Sequence, residues 1–431
     1  MARFLYNLVF TLAIPFILIR MWLRGDSNPG YRQRWAERFA LFSFTGKPHG
    51  LLIHSVSVGE TLAAEPLVRS LQAASPDLTL TITTTTPTGS DQVKRIYAKD
   101  LAAGRIVHLY LPYDLPWLMA RLLKKIQPSL CIIMETELWP NIIRSCNKRQ
   151  VPVILANARL SEKSAKGYAK FPKLTQPMLQ GLDLIAAQHR NDAQRFIDLG
   201  IDEHKVDVTG SIKFDINVPE QVLEQGQTLK TLWGQTRPVL VLASSHEGED
   251  DLILNSYQQL LPEFPDLLLV IVPRHPERFD EVAALVLDRE LHLVRRSESF
   301  DKGNLQVNPM TQVYLADTMG EMLLLLASAD LAIMGGSFIE HGGHNPLEAC
   351  ALSKAVIMGP SDYNFAAITQ QLIQQGAMQQ ASAEQLTICI RQLLERPEMR
   401  AEMGQNGMRV VAENQGAVRH LTELVSEKLY R

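Results

Sequence analysis

Short apolar runs alternate with longer amphipathic stretches along most of this chain. The runs read as buried strands and the stretches between them as helices. A first series places strands at 51–56, 78–84, 106–110, 130–134, 151–157 and 182–187. Helices are predicted at 61–73, 90–99, 117–126 and 139–148, with a turn at Ser57-Val58-Gly59-Glu60 and a break at Pro87-Thr88-Gly89. Strand–helix alternation of this kind implies a mostly parallel sheet covered on both faces.

The pattern restarts after a seam. Asn217-Val218-Pro219 opens a linker over 216–235 that contains a polar helix with little core character. Strands follow at 239–243, 267–272, 312–314, 331–334 and 355–357. Helices are expected at 251–261, 278–289, 319–327, 346–351, 366–375, 391–394 and from 397 onward. The fold class is therefore α/β, with two domains over 25–215 and 236–405 and a C-terminal segment, 406–431, packed back on the first. Ligands of such sheets gather beyond the carboxyl ends of the strands. A cleft between the domains is expected to collect both sets of loops.

Residues 4–23 are nearly all apolar, interrupted by Asn7, Thr11 and Arg20, with Pro15 inside. That length approaches what a helix needs to span hydrocarbon. No small-residue cleavage site follows, and Arg20, Arg24, Arg32, Arg34 and Arg38 flank the carboxyl end. The positive-inside rule then puts the body in the cytoplasm, with 1–24 as an anchor. A helix lying in the interface fits the same residues.

Length and apolar content suffice for two ordinary cores. The net charge of -3 is unevenly spread: residues 1–215 carry 27 basic and 18 acidic side chains, the remainder 16 and 28. The basic half suits an anionic surface or substrate. Cys131, Cys146, Cys350 and Cys389 are widely spaced and form no CxxC pair, so free thiols in a reducing compartment are expected. No Walker lysine motif or dinucleotide fingerprint is present, and metal ligation is poorly supported because His341 and His344 lie in a glycine turn with no obvious third ligand.

Gly335-Gly336-Ser337-Phe338-Ile339-Glu340-His341-Gly342-Gly343-His344-Asn345-Pro346-Leu347-Glu348 concentrates polar chemistry between a strand and a helix start. Such a turn can present backbone N–H groups to an anion. Glu60 follows a strand and a glycine turn. It suits either a general base or a first-turn partner of the helix dipole. Met134-Glu135-Thr136-Glu137-Leu138-Trp139-Pro140-Asn141 closes another strand with two acids. Lys213 lies near the seam, Arg274 and His275 follow a strand and can meet a phosphate, and Asp317 is placed as a helix cap.

Together these segments resemble the 3-deoxy-D-manno-octulosonic acid (Kdo) transferases of lipopolysaccharide assembly. The resemblance covers essentially the whole chain. It is carried by Ser57–Glu60, Met134–Asn141, Gly210-Ser211-Ile212-Lys213-Phe214-Asp215, Pro273-Arg274-His275, Asp317-Thr318-Met319-Gly320-Glu321 and Gly335–Glu348. It implies a GT-B glycosyltransferase, with two Rossmann-like domains facing a cleft behind an N-terminal membrane anchor helix. The first domain would take the lipid A precursor (lipid IVA) and the second CMP-Kdo. The transfer would be inverting, without metal or other cofactor, at the cytoplasmic face of a Gram-negative inner membrane. Anionic inner-membrane lipids are expected partners; nucleic acid is not.

The resemblance also implies roles. Glu60 would be the general base and Glu137 the second essential acid, with Glu135 less certain. Arg274 and His275 would contact CMP. Gly335, Gly336 and Ser337 would offer donors to its phosphate, and Asn345 and Glu348 would hold nucleotide or sugar hydroxyls. Lys213 would neutralise anionic groups, and Asn364 lies in a further matching segment. Two positions depart from the family pattern: Ser361 stands where a histidine is expected, and Glu348-Ala349-Cys350 departs from the more usual proline after the glutamate. A glycosyltransferase using a UDP-sugar and a non-catalytic sugar-nucleotide-binding protein are the alternatives, separable by nucleotide competition and by product formation.

Overall fold

A computed structural model describes residues 1–26, 28–301 and 307–430, with backbone only for 299–301. The chain divides into two units, residues 1–215 with 415–431, and residues 216–414.

The first unit is built on a parallel sheet of β1 (Leu51–His54), β2 (Leu80–Thr84), β3 (Ile106–Tyr110), β4 (Leu130–Met134), β5 (Val153–Ala158), β6 (Leu184–Ala187) and β7 (Val206–Val208). The order is β3-β2-β1-β4-β5-β6-β7. β1, β2, β4, β5 and β6 are buried at every position, as helices on both faces require. The order reverses direction between β1 and β4, and that switch point is where an open α/β sheet makes its crevice.

The helix after β1 begins earlier than its predicted start. It runs Val58–Ala74, with Ser57 as its N-cap. Pro87 likewise starts a helix, capped by Thr86, where the sequence suggested a break. A proline at the first helical position loses no bond there, because that N–H has no intrahelical partner.

The C-terminal return begins at 415, later than expected. Gly416 adopts φ 102°, and Asp215 caps the new helix, Ala417–Leu429, by accepting from the amides of Gly416 and Val418, both at 2.5 Å. Leu421 and Val425 of this helix are fully buried in the first unit's core. Each contributes roughly 1.5–3 kcal/mol of burial.

The N-terminal helix Ala2–Arg24 is long and apolar enough to cross a membrane. One of its faces is docked on the first unit. Tyr6 Oη donates to Asp114 Oδ2 at 3.0 Å, Asn141 Nδ2 donates to Asn7 Oδ1 at 2.8 Å, and Phe10 packs on Trp139 and Tyr113. Phe4, Leu8, Leu12 and Phe16 remain exposed.

The second unit repeats the plan with β8 (Val239–Ser245), β9 (Leu268–Pro273), β10 (Leu293–Arg295), β11 (Val313–Leu315), β12 (Leu331–Met334), β13 (Ala355–Met358) and β14 (Gln379–Gln380). The order is β10-β11-β9-β8-β12-β13-β14, all parallel, so this switch point falls between β8 and β12. The helix expected to have little core character, Glu220–Trp233, buries Gly226, Leu229 and Trp233. A Cβ on Gly226 would stand 2.4 Å from that of Ala327, so this glycine permits close helix packing.

Candidate active site

Glu60 sits at the carboxyl end of β1, in the first turn of the helix it helps to start. Its Oε2 accepts from the Val56 amide at 2.8 Å and its Oε1 from Ser57 Oγ at 3.0 Å. Ser57 Oγ in turn accepts from the Glu60 amide as the N-cap of this helix. The residue is 9% exposed. Burial, with the charges of Glu137 and Glu135, raises its pKa to about 7. The two donors oppose that rise without cancelling it.

Glu135 and Glu137 come from the carboxyl end of β4, on the other side of the switch point. Glu135 holds φ 54°, a left-handed conformation that costs a non-glycine residue energy and is seen where a site demands it. Glu137 accepts from Trp139 Nε1 at 3.1 Å, and burial raises its pKa. Lys213 lies in the first unit beside Glu135; burial lowers its pKa and Glu135 opposes the fall. The structure thus brings Glu60, Glu135, Glu137 and Lys213 together.

The first unit also carries two grooves, the first of them beside Glu137. One, of about 440 Å³, is lined largely by apolar groups including Leu138, Trp139, Tyr168, Phe171 and Leu174. The other, of about 770 Å³, carries Arg3, Arg144, Lys148 and Lys173.

In the second unit the glycine-rich turn follows β12. The amides of Gly335, Gly336 and Ser337, expected to offer donors to a phosphate, are bonded within the protein. The Gly335 amide donates to Ala243 O at 2.8 Å. The amides of Gly336, Ser337 and Phe338 donate to the carboxylate of Glu249, at 2.7, 3.0 and 3.0 Å. Glu249 also accepts from the His246 amide at 3.0 Å, and is wholly buried. The anion in this turn is the protein's own. Ser337 Oγ donates to Met334 O and accepts from the Gly359 amide. A Cβ on Gly335 would meet Ser244 O at 2.3 Å, so only glycine allows the two strand ends to approach this closely.

The side chains at the switch point are histidines. His246 follows β8, and its Nε2 is 2.8 Å from His344 Nε2. The ring of His341 is centred 4.2 Å from that of His246, and the ring of His275 5.5 Å away. Arg274 stands near enough to depress both His246 and His344. Burial and these neighbours lower His246 to about 4 and His344 to about 3. The two imidazole nitrogens lie at hydrogen-bond distance, and among the described residues no group of three or more His, Cys, Asp or Glu is arranged to hold a metal ion.

Other expected residues serve the loops. Asn345 Oδ1 accepts from the Leu347 amide at 3.1 Å, a local turn just ahead of the helix Leu347–Ala351, whose N-cap is Pro346. Glu348 is largely buried, which raises its pKa. Asn364 Nδ2 donates to His341 O at 2.8 Å. Ser361 Oγ accepts from the Gly342 amide at 3.0 Å and so pins the glycine turn from the β13 side. Asp317 does not cap the helix after β11, which runs Met322–Ala327. It accepts from Arg295 Nε at 2.7 Å and from Ser297 at both its amide and its hydroxyl.

Glu249 and the His246–His344 contact are the features that sequence reasoning missed. A signal for the first existed: Gly248-Glu249 opens the helix after β8 just as Gly59-Glu60 opens the helix after β1.

A glycosyltransferase from Rickettsia africae has a similar fold, with a TM-score of 0.55 at 16% identity over 89% of this chain and 99% of that one. Two units, each on a parallel seven-stranded sheet, give the chain a GT-B-like α/β fold. Residues 33–216 match the family "3-Deoxy-D-manno-octulosonic-acid transferase (kdotransferase)" and residues 243–410 match "Glycosyl transferases group 1". The 3-deoxy-D-manno-octulosonic acid transferase of Haemophilus influenzae is 42% identical over the full length of both chains. The C-terminal CMP-Kdo binding domain of WaaA from Acinetobacter baumannii is 34% identical, covering 45% of this chain and 99% of that one, with a TM-score of 0.42. The chain belongs to the 3-deoxy-D-manno-octulosonic acid transferase family.

Proposed function

We propose that this protein transfers Kdo from CMP-Kdo to a lipid A precursor, lipid IVA, and releases CMP. Family membership supports the reaction class, and Glu60 carries the reading of mechanism. It is a nearly buried carboxylate at a switch point, with a pKa raised to about 7. A base is most effective when its pKa lies near the working pH. Glu60 takes the proton of the acceptor hydroxyl while that oxygen attacks the anomeric carbon of Kdo. The bond from that carbon to the phosphate oxygen breaks, CMP leaves with the electron pair, and the configuration inverts.

Glu137 orients the acceptor, with Lys213 offsetting charge beside Glu135. Arg274 and His275 contact CMP, and Glu348 and Asn345 take hydroxyls of the ribose or sugar. Arginine and imidazole groups meet the phosphate charge, so this route calls on no metal or other cofactor.

The acceptor's acyl chains suit the apolar groove beside Trp139, and its phosphates suit the basic groove of Arg3, Arg144, Lys148 and Lys173. The N-terminal helix keeps one face on the body and offers Phe4, Leu8, Leu12 and Phe16 outward. This favours a helix lying in the cytoplasmic leaflet of the inner membrane, with anionic lipids around the flanking arginines. The test of the reaction is release of CMP from CMP-Kdo, measured with and without lipid IVA. Acceptor-dependent release is expected; no transfer to any tetraacylated acceptor would overturn the reading.

A further inference from the structure

The histidines of the second unit form a group that simple nucleotide binding does not require. His246 and His344 meet through Nε2 atoms at 2.8 Å, which places one proton between the two rings and makes one ring the donor and the other the acceptor. The pair is walled by groups that repel a further positive charge: Arg274 and His275 after β9, Arg278 on the following turn, and His341 on the glycine turn. The carboxylates nearby are committed elsewhere. Glu249 is saturated by four backbone amides, and Asp250 Oδ2 accepts from Arg278 Nη2 at 2.7 Å. Gly336 leaves room for the pair, since a Cβ there would stand 3.1 Å from His344 Cδ2, and its φ of 68° disfavours one in any case.

An empty cluster of this kind stays neutral. An anion set over it reverses the balance, because a nearby negative charge favours the imidazolium. We infer that the His246–His344 pair takes up a proton when a nucleotide phosphate binds, and returns it to that phosphate as the sugar departs. The inference rests on the reading that this unit holds the phosphate of CMP-Kdo. The step balances. As the anomeric C–O bond breaks, its electron pair goes to the phosphate oxygen, which gains a charge. The proton on the histidine pair moves to that oxygen, the acceptor's proton goes to Glu60, and both groups re-equilibrate with water after release.

Calorimetric titration of the full chain with CMP tests this, at about pH 6.0 in buffers of different ionisation enthalpy. A nearby opposite charge raises a pKa by about 1–3 units, so the expected result is net uptake of a fraction of a proton per CMP bound, larger than in either histidine variant below. CMP affinity should weaken by up to about tenfold per pH unit from about pH 4 to the raised pKa and level off above it. Cytidine, which lacks the phosphate, should bind without uptake. His344→Gln should bind CMP with little uptake and a flat pH dependence, and His246→Asn should behave alike, each checked for a wild-type melting transition. CMP binding with no proton exchange, or with the same exchange in both variants, overturns this inference and leaves the donor assignment standing. Failure of CMP to bind at all overturns both.

Discussion

Glu249 accepts the amide of Gly336 at 2.7 Å, and this contact joins the end of β8 to the end of β12. Glu249 also holds Ser337, Phe338 and His246, so one buried carboxylate fixes both sides of the second switch point. Glu249→Ala would leave four amides without their acceptor. Each costs on the order of 1–3 kcal/mol when buried and unmade. We expect a loss of at least about 3 kcal/mol in denaturant unfolding of the full chain. A variant within about 0.5 kcal/mol of wild type would show that the turn holds without it.

Glu60 makes opposite demands on stability and activity. Its pKa is raised from 4.5 to about 7 in the folded protein, so the native state binds the proton more tightly than the unfolded chain does. Stability contributed by the protonated group is full below about pH 4.5 and is lost as pH rises towards 7. Glu60→Gln removes that penalty. It should stabilise the protein by on the order of 1–3 kcal/mol at pH 8 and by little at pH 4.5. Thermal melts at the two pH values measure the difference; equal shifts at both would contradict the raised pKa.

As the proposed base, Glu60 acts as the carboxylate. With a pKa of about 7, kcat/KM should climb with pH and level off above that value. Below it the fall should approach tenfold per unit. A profile flat from pH 5 to 8 would remove Glu60 as the titrating base.

Ser361 accepts the Gly342 amide, so Ser361→Ala should cost roughly 1 kcal/mol of stability and raise KM for the donor more than it lowers kcat. Steady-state kinetics with CMP-Kdo separates the two. An unchanged KM would show that the glycine turn is fixed by its other bonds.

Replacing Phe4, Leu8, Leu12 and Phe16 by serine alters the exposed face of the N-terminal helix and spares Tyr6 and Asn7, which bond to the body. Flotation with anionic vesicles should drop sharply while the melting transition stays in place. Retained flotation would locate membrane affinity on another surface.

Much of the scaffold was legible because parallel strands buried on both faces leave uninterrupted apolar runs. β3, β4 and β12 fall where the periodicity predicts them. The helices Glu162–Ala169, Pro172–Gln180 and Arg190–Asp198 and the short strand β7 were not read. The first of these helices buries nothing, and β7 is only partly covered, so their pattern is weak. At the site, strand-end acids such as Glu60 and Glu137 stand out because a charge within a few residues of a buried run is conspicuous. The glycine turn is legible as a cluster of amide donors; that three of them meet Glu249 is not. Composition shows how many amides a turn can offer; it does not show that Glu249, eighty-seven residues earlier, already occupies them. The His246–His344 contact was hidden for the same reason, since it spans 98 residues.

The central claim is that Glu60 drives transfer of Kdo onto a lipid acceptor. Its most direct test is mass analysis of lipid IVA after incubation with CMP-Kdo and either the wild-type chain or Glu60→Gln. Wild type should add one or more Kdo masses, and the variant should be slower by about 10²–10⁴-fold with an intact fold. Lipid IVA unchanged by the wild type, or modified at the same rate by Glu60→Gln, would contradict the account.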